Sequence, residues 1–394
     1  MTCDGSPDDP LADAALAVAD GCVTWIGPAA RAAAYRERAE VVACDGCVIT
    51  PGFVDSHTHA VFGRWRSEEY ALRSRGVRYM EIARRGGGIA SSVKDARARS
   101  EAELVAMTRA RLEGMLSHGT TTAEVKSGYG LDTESELKLL RAARLAAAEL
   151  PIDVVTTFMG AHEFPPEYRD RRDAYVELLV EEMIPAVAES GLATFCDVFL
   201  EPGVFDARQA RRVLEAGASH GLVPKVHADE LEGSGGAELA VEVGAASADH
   251  LGAVSEAGIR ALAGSDTVAT LLPATLFFLG RRAYAPARRL LEEGATVALA
   301  TDFNPGSAPS PSMPLVLTIA CSQMGLEPLE AIRAATRGGA RALRLEDGRG
   351  TLVPGAPADL IVWEATDASE IPYRFGIPPI RSVWKGGERV SGSL

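Results

Sequence analysis

Between residues 48 and 303 two kinds of run alternate along the chain. Short apolar runs rich in β-branched residues give way to longer runs rich in Ala, Leu and Arg with helical spacing. Side chains on a strand alternate faces, whereas on a helix every third or fourth residue shares one. On that basis strands are predicted over 48–59, 120–126, 152–162, 195–200, 223–227, 246–250, 268–273 and 296–302. Helices are predicted over 101–117, 133–149, 174–189, 207–220, 235–243, 256–263 and 286–293. Two of the helix starts carry capping pairs, Ser100 with Glu103, and Asp132 or Thr133 with Glu136. Strand followed by helix, repeated through short links, predicts a (β/α)8 TIM-like barrel. The competing open, doubly wound sheet wants a glycine-rich phosphate turn after its first strand, and none stands there.

The ends of the chain read differently. A hairpin is predicted from 14–19 through Asp20-Gly21 into 22–26, and further strands at 358–363 and 380–384, the latter turning at Lys385-Gly386-Gly387. Neither end has enough apolar surface to fold alone, so the two are expected to form one small β-sandwich domain. The expected organisation is residues 1–48 and 350–394 as the two parts of that domain, with 49–349 as the barrel.

The chain's 394 residues, 47% of them hydrophobic, suffice for this plan. A net charge of −14 argues against nucleic acid or an anionic membrane as partner. No apolar run is long enough to span a bilayer, and no basic-then-apolar leader opens the chain. Six cysteines in so long a chain do not make a disulfide framework, and Cys44-Asp45-Gly46-Cys47 has no second pair to complete a zinc knuckle. These features lead us to expect a cytoplasmic protein.

The chemistry gathers at the predicted strand ends. His57 and His59 end strand one. Lys126 ends strand two, with Tyr129 just beyond. His162 ends strand three, Glu201 follows strand four, and His227 ends strand five ahead of Glu230. His250 ends strand six, and Asp302 ends strand eight before Asn304, Gly306 and Ser307. Of seven histidines only His118 and His220 fall outside this ring, each before a glycine at a helix end. In barrels the loops at the strand C-termini build the active site. A single buried histidine is ordinarily a hydrogen-bonded core residue. The His57-x-His59 pair reads otherwise, because two adjacent buried imidazoles need a compensating partner, and a divalent metal supplies one. Asp302 follows an apolar run and must be paired or coordinated. Lys126 reads better as a structural ion-pair partner. The stretch 60–99 is a long insertion carrying Arg64, Arg66, Arg73, Arg75, Arg78, Arg84 and Arg85, and long loops in compact domains are usually functional.

These segments resemble the amidohydrolase superfamily. The matching stretches are Pro51-Gly52-Phe53-Val54-Asp55-Ser56-His57-Thr58-His59, Lys126-Ser127-Gly128-Tyr129-Gly130, Gly160-Ala161-His162, Val226-His227-Ala228-Asp229-Glu230, Asp249-His250 and Thr301-Asp302-Phe303-Asn304-Pro305-Gly306-Ser307. Within the superfamily the likeness is to the members that open an imidazolone ring in histidine degradation. That resemblance implies a metal site of His57, His59, His227 and Asp302 holding one Zn2+ or Fe2+/Fe3+ per subunit, since strand four holds no lysine to bridge two ions. It implies 4-imidazolone-5-propanoate as the small-molecule substrate, with Glu230, His250 and Asp302 as catalytic residues. Arg66, Tyr129, His162, Glu230, Asn304, Gly306 and Ser307 are its implied substrate contacts, and a homodimer its implied assembly. The family usually has an extra strand before the first hairpin, where this sequence reads Thr2-Cys3-Asp4-Gly5, a departure that bears on the small β domain and not on the site. Two other readings stand beside this one: a nucleobase deaminase of the same superfamily, which would have no need of Arg66, and a non-catalytic relative, which would not need all four ligands.

Overall fold

The computed structural model describes residues 1–5, 9–77, 81, 82 and 86–393. Arg78, Arg84 and Arg85 of the long insertion lie outside the described residues. Eight parallel strands run in chain order through one sheet: β4 (Phe53–Asp55), β5 (Thr120–Lys126), β6 (Asp153–Ala161), β7 (Phe195–Leu200), β8 (Val223–Ala228), β9 (Ser247–His250), β10 (Val268–Leu271) and β11 (Val297–Leu299). β4 and β11 meet beyond their regular ends. Thr58 bridges Phe303, His59 N–H donates to the Phe303 carbonyl at 2.9 Å, and Asp302 N–H donates to the His57 carbonyl at 3.0 Å. The seam of the barrel is therefore closed by the main chain of the metal-ligand candidates His57, His59 and Asp302 and of their neighbours Thr58 and Phe303. Helices cover the outside, and the interface is apolar: Leu139, Leu140, Met183, Val213, Leu214, Leu262 and Leu290 are all buried. The Ser100–Glu103 capping box forms as the spacing predicts, and Asp132 caps the next helix through the N–H of Ser135.

The strand predicted at 48–59 is two strands in two sheets. β3 (Val48–Pro51) pairs antiparallel with β12 (Leu360–Trp363) in a four-stranded sheet, and the chain then enters the barrel as β4. Gly52 makes the crossing possible: a Cβ there would stand 2.3 Å from the Thr121 hydroxyl oxygen. The rest of that sheet is β13 (Ile380–Lys385) and β14 (Glu388–Gly392). The N-terminal hairpin forms its own two-stranded sheet, β1 (Ala14–Ala19) with β2 (Cys22–Pro28). Both sheets share a small core in which Val23, Leu352, Ala358, Leu360 and Val362 are buried against Leu16, Ile26, Ile49 and Trp384. Residues from both termini thus build one small β unit beside the barrel. Within the insertion after β4, helices form at Ser67–Ser74 and Ile89–Ala98.

Candidate metal centre

His57, His59, His162, His227, His250 and Asp302 are all buried at the C-terminal mouth of the barrel. Their rings form a cluster: His57 lies 4.4 Å from His227 and 5.4 Å from His250 between centroids, and His162 stacks on His59 at 5.0 Å. The inward atoms converge further. Nε2 of His227 is 3.3 Å from Nε2 of His59, and Oδ1 of Asp302 is 3.5 Å from Nε2 of His57 and 3.6 Å from Nε2 of His59. Four N and O ligands at about 2.0–2.1 Å around a tetrahedral ion stand ~3.4 Å apart, which these separations match. Nε2 of His57 has no hydrogen-bond partner although it is fully buried. Three imidazoles and one carboxylate suit Zn2+ or Fe2+.

Carboxylates behind the imidazoles set their tautomers. Nδ1 of His57 lies 2.6 Å from Asp249 Oδ2, and Nδ1 of His227 lies 3.0 Å from Asp197 Oδ1. A proton held at Nδ1 leaves the Nε2 lone pair facing the cluster, as metal ligation requires. Both carboxylates belong to an ionic network that fills the barrel. The Lys126 ammonium donates to Asp197 at 2.6 Å and to Glu124 at 2.9 Å; Lys225 donates to Glu124 at 2.8 Å and to the Ser56 carbonyl at 2.9 Å. Thr157 also donates to Glu124. Burial alone would lower the Lys126 pKa, but the charges of Asp197 and Glu124 raise it, so the ammonium stays charged. Burial would likewise raise Asp197, but His227 and Lys126 hold it well below the usual carboxylate range. Lys126 is thus the ion-pair partner its sequence context suggested. Glu124, Asp197, Lys225 and Asp249 were missed; the available clue was a charged residue inside an otherwise apolar strand.

Burial holds His57, His59 and His250 well below the usual imidazole pKa, with neighbouring positive groups adding to the effect. His162 is pushed down to about 3 by burial. Its Nδ1 sits 2.9 Å from the Gly128 carbonyl, which leaves Nε2 as an acceptor. Asp302 rises to about 6 through burial, against the hydrogen bond it accepts from the Thr275 hydroxyl at 2.5 Å. Glu230 rises to about 8, first by burial and then by the charges of Asp302 and Glu201, and its Oε2 is 3.7 Å from Nε2 of His250. The backbone is strained at these positions: φ is +82° at His250, +52° at Asp302 and +51° at Asp229. Such values in non-glycine residues cost about 1–3 kcal/mol each and gather where a site demands a particular direction.

The loops bring the other predicted residues to the same mouth. Tyr129 is buried, its ring 5.9 Å from His59 and 5.4 Å from His162. Its turn is organised by the buried Glu136 carboxylate, which accepts the N–H groups of Gly128, Gly130 and Leu131 at 2.7–2.9 Å. Arg66 is only 8% exposed, and its Nε and Nη1 have no hydrogen-bond partner. The loop leading to it is tied down by Arg111, which donates to the carbonyls of Ala60, Phe62 and Gly63. Asn304, Gly306 and Ser307 form a turn of their own. Asn304 Oδ1 accepts the N–H groups of Gly306 and Ser307, each at 2.8 Å, and its amide donates to the Asp302 carbonyl at 2.6 Å. In this arrangement those donors are engaged within the turn, and Gly306 stands so close to the Arg66 guanidinium that a Cβ there would lie 1.5 Å from Nη2.

A closed parallel barrel with a histidine–carboxylate centre at its C-terminal mouth defines a metal-dependent hydrolase. Residues 48–391 match the family model described as "Amidohydrolase family". An imidazolonepropionase of Symbiobacterium thermophilum is 50% identical over 95% of this chain and 89% of its own length. One from Haloarcula marismortui is 48% identical over 98% and 92%. The crystal structure of an adenosine deaminase from Xanthomonas campestris with bound zinc superposes with a TM-score of 0.73 at 20% identity, covering 96% of this chain and 88% of that one, a likeness of fold. The chain belongs to the amidohydrolase family and, within it, to the imidazolonepropionases.

Proposed function

We propose that the chain hydrolyses the cyclic amide of 4-imidazolone-5-propanoate to N-formimino-L-glutamate, with His57, His59, His227 and Asp302 holding one Zn2+ or Fe2+/Fe3+. An ion held there supplies hydroxide at neutral pH by lowering the pKa of water from about 15.7 to near 7. The protein's own groups handle the protons and the substrate. Asp302, whose Oδ2 is held by the Thr275 hydroxyl at 2.5 Å, accepts the proton from the attacking water. Oxygen adds to the ring carbonyl carbon, the ring C–N bond breaks, and the departing nitrogen takes a proton. Glu230, raised to about 8, carries that proton at neutral pH and stands beside His250 to deliver it. His250 steadies the developing charge on the carbonyl oxygen. His162 offers its bare Nε2 to a ring N–H. Tyr129 and the turn of Asn304, Gly306 and Ser307 frame the propanoate end.

The observation that carries this reading is the buried, incompletely bonded Arg66 guanidinium. Its ion pair with Glu69 is long, 3.9 Å at Nε and beyond hydrogen-bond distance, so the guanidinium keeps the capacity to grip a carboxylate with two parallel hydrogen bonds. A neutral nucleobase can accept hydrogen bonds from it but brings no negative charge to balance it, so a propanoate fits the site better than a base does. A charge of −14 and cysteines that are all free suit a cytoplasmic enzyme, and the likeness to the family is what supports a homodimer. No helix among the described residues is long and apolar enough to cross a membrane. The test is turnover of imidazolone propanoate beside cytosine, guanine and adenosine, with metal content measured on the same sample. Turnover of the first alone supports the reading; deamination without ring opening refutes it.

A further inference from the structure

Glu201 follows β7 at the mouth of the barrel. On strand order alone it is a candidate for the metal or the substrate, and the structure gives it neither. Its carboxylate is turned to main chain. Oε2 accepts the N–H of Glu230 at 3.1 Å and, more weakly, that of Leu231 at 3.5 Å; Oε1 accepts the N–H of Glu232 at 2.9 Å. The residue is 6% exposed, and among the described residues no cation pairs with it. A buried carboxylate without a counter-ion is costly unless hydrogen bonds to its charged form compensate. Here those bonds all go to one turn, the turn that carries Glu230.

The same turn is fixed from its other side. Asp229, at φ +51°, accepts the N–H groups of Ser234 at 2.6 Å, Gly236 at 3.2 Å and Ala237 at 3.0 Å, while its carbonyl accepts the N–H of Ala253 at 2.7 Å. The loop after His250 presses against it, since a Cβ at Gly252 would stand 2.5 Å from the Glu230 carbonyl oxygen. With its main chain held by two carboxylates and a neighbouring loop, Glu230 has little freedom except in its own side chain. That is what a proton carrier needs, because a misplacement of about 1 Å can lower a rate ~100-fold.

We infer that Glu201 is a positioning residue for the hydrolytic reaction, setting the main chain of the 230–232 turn and so the aim of the Glu230 carboxylate at His250. The inference rests on the proposed role of Glu230, and a double-mutant cycle separates the two. Four proteins are compared as metal-loaded enzymes: the parent, Glu201→Gln, Glu230→Gln and the double variant. Glutamine keeps the volume but offers one carbonyl oxygen where two carboxylate oxygens served. Glu201→Gln is expected to lower kcat about 10-fold or more, with KM within about twofold and metal per chain unchanged. In the Glu230→Gln background the same change is expected to shift kcat by less than about twofold, because the group it aims is no longer there. An equal loss in both backgrounds overturns the inference, as does full activity of Glu201→Gln or a loss of bound metal. Full activity of Glu230→Gln instead removes the reading beneath it. If Glu201→Gln does not fold, Glu201→Asp, which keeps the charge and shortens the reach, takes its place in the same cycle.

Discussion

Gly306→Ala is a one-carbon change that should disable the carboxylate clamp while leaving the metal site alone. Gly306 is not in a left-handed conformation, so its backbone accepts alanine; the conflict is with a side chain. A Cβ at 306 would lie 1.5 Å from Nη2 of Arg66, 2.1 Å from Cζ and 2.3 Å from Nε. Ordinary contact between such atoms begins at about 3.5 Å, so the guanidinium must move by roughly 2 Å. A hydrogen bond does not survive such a shift. Each hydrogen bond to a charged group is worth about 1.5–3 kcal/mol, so losing a bidentate pair removes about 3–6 kcal/mol. At 1.36 kcal/mol per tenfold, kcat/KM for imidazolone propanoate should fall roughly 10²–10⁴-fold. Steady-state kinetics measures this, and elemental analysis and a thermal melt on the same sample check that metal and fold are retained. A variant with kcat/KM within about threefold of the parent would refute the placement of the clamp.

Three further outcomes are expected. Lys126→Met leaves Asp197 and Glu124 facing each other in the barrel with one lysine fewer, and breaking a buried pair from one side should cost about 3–5 kcal/mol in denaturant unfolding; a loss below about 1 kcal/mol would contradict the neutralising role. Glu230 is protonated at neutral pH because its pKa is raised to about 8, and it loses that proton as pH rises, so kcat should fall as pH rises through about 8; an identical limb in Glu230→Gln would assign it elsewhere. Glu136→Ala frees three N–H groups in the turn that carries Tyr129 and should raise KM while metal content holds, so an unchanged KM would separate that turn from substrate binding.

The barrel was legible because short apolar strands alternate with helical runs, two of which open on capping pairs. The candidate ligands were legible because they end those strands, where a lone polar residue stands out against an apolar run. The split at Gly52 into two sheets was not legible. Pro51-Gly52 reads as a turn between Val48-Ile49 and Phe53-Val54, but that the two halves belong to different sheets is set by their partners, β12 on one side and β5 on the other. The ionic filling of the barrel was half visible: Glu124 with Lys126, and Lys225 with His227, alternate on strands as inward-facing residues do. That they neutralise one another across four strands depends on register, which no single stretch contains. Glu136, Glu201 and Arg111 were invisible as organisers, since their partners are main-chain groups that any residue supplies. The turn at 304–307 reads in sequence as open donors, whereas Asn304 folds back and engages them itself.

The most direct test of the metal centre is anomalous diffraction from crystals of the purified protein at the zinc and iron absorption edges. One peak per chain is expected, about 2.0–2.2 Å from Nε2 of His57, His59 and His227 and from Oδ1 of Asp302. Two peaks at the barrel mouth, or one that leaves out His227 or Asp302, would contradict the single-ion site on which the hydrolytic mechanism depends.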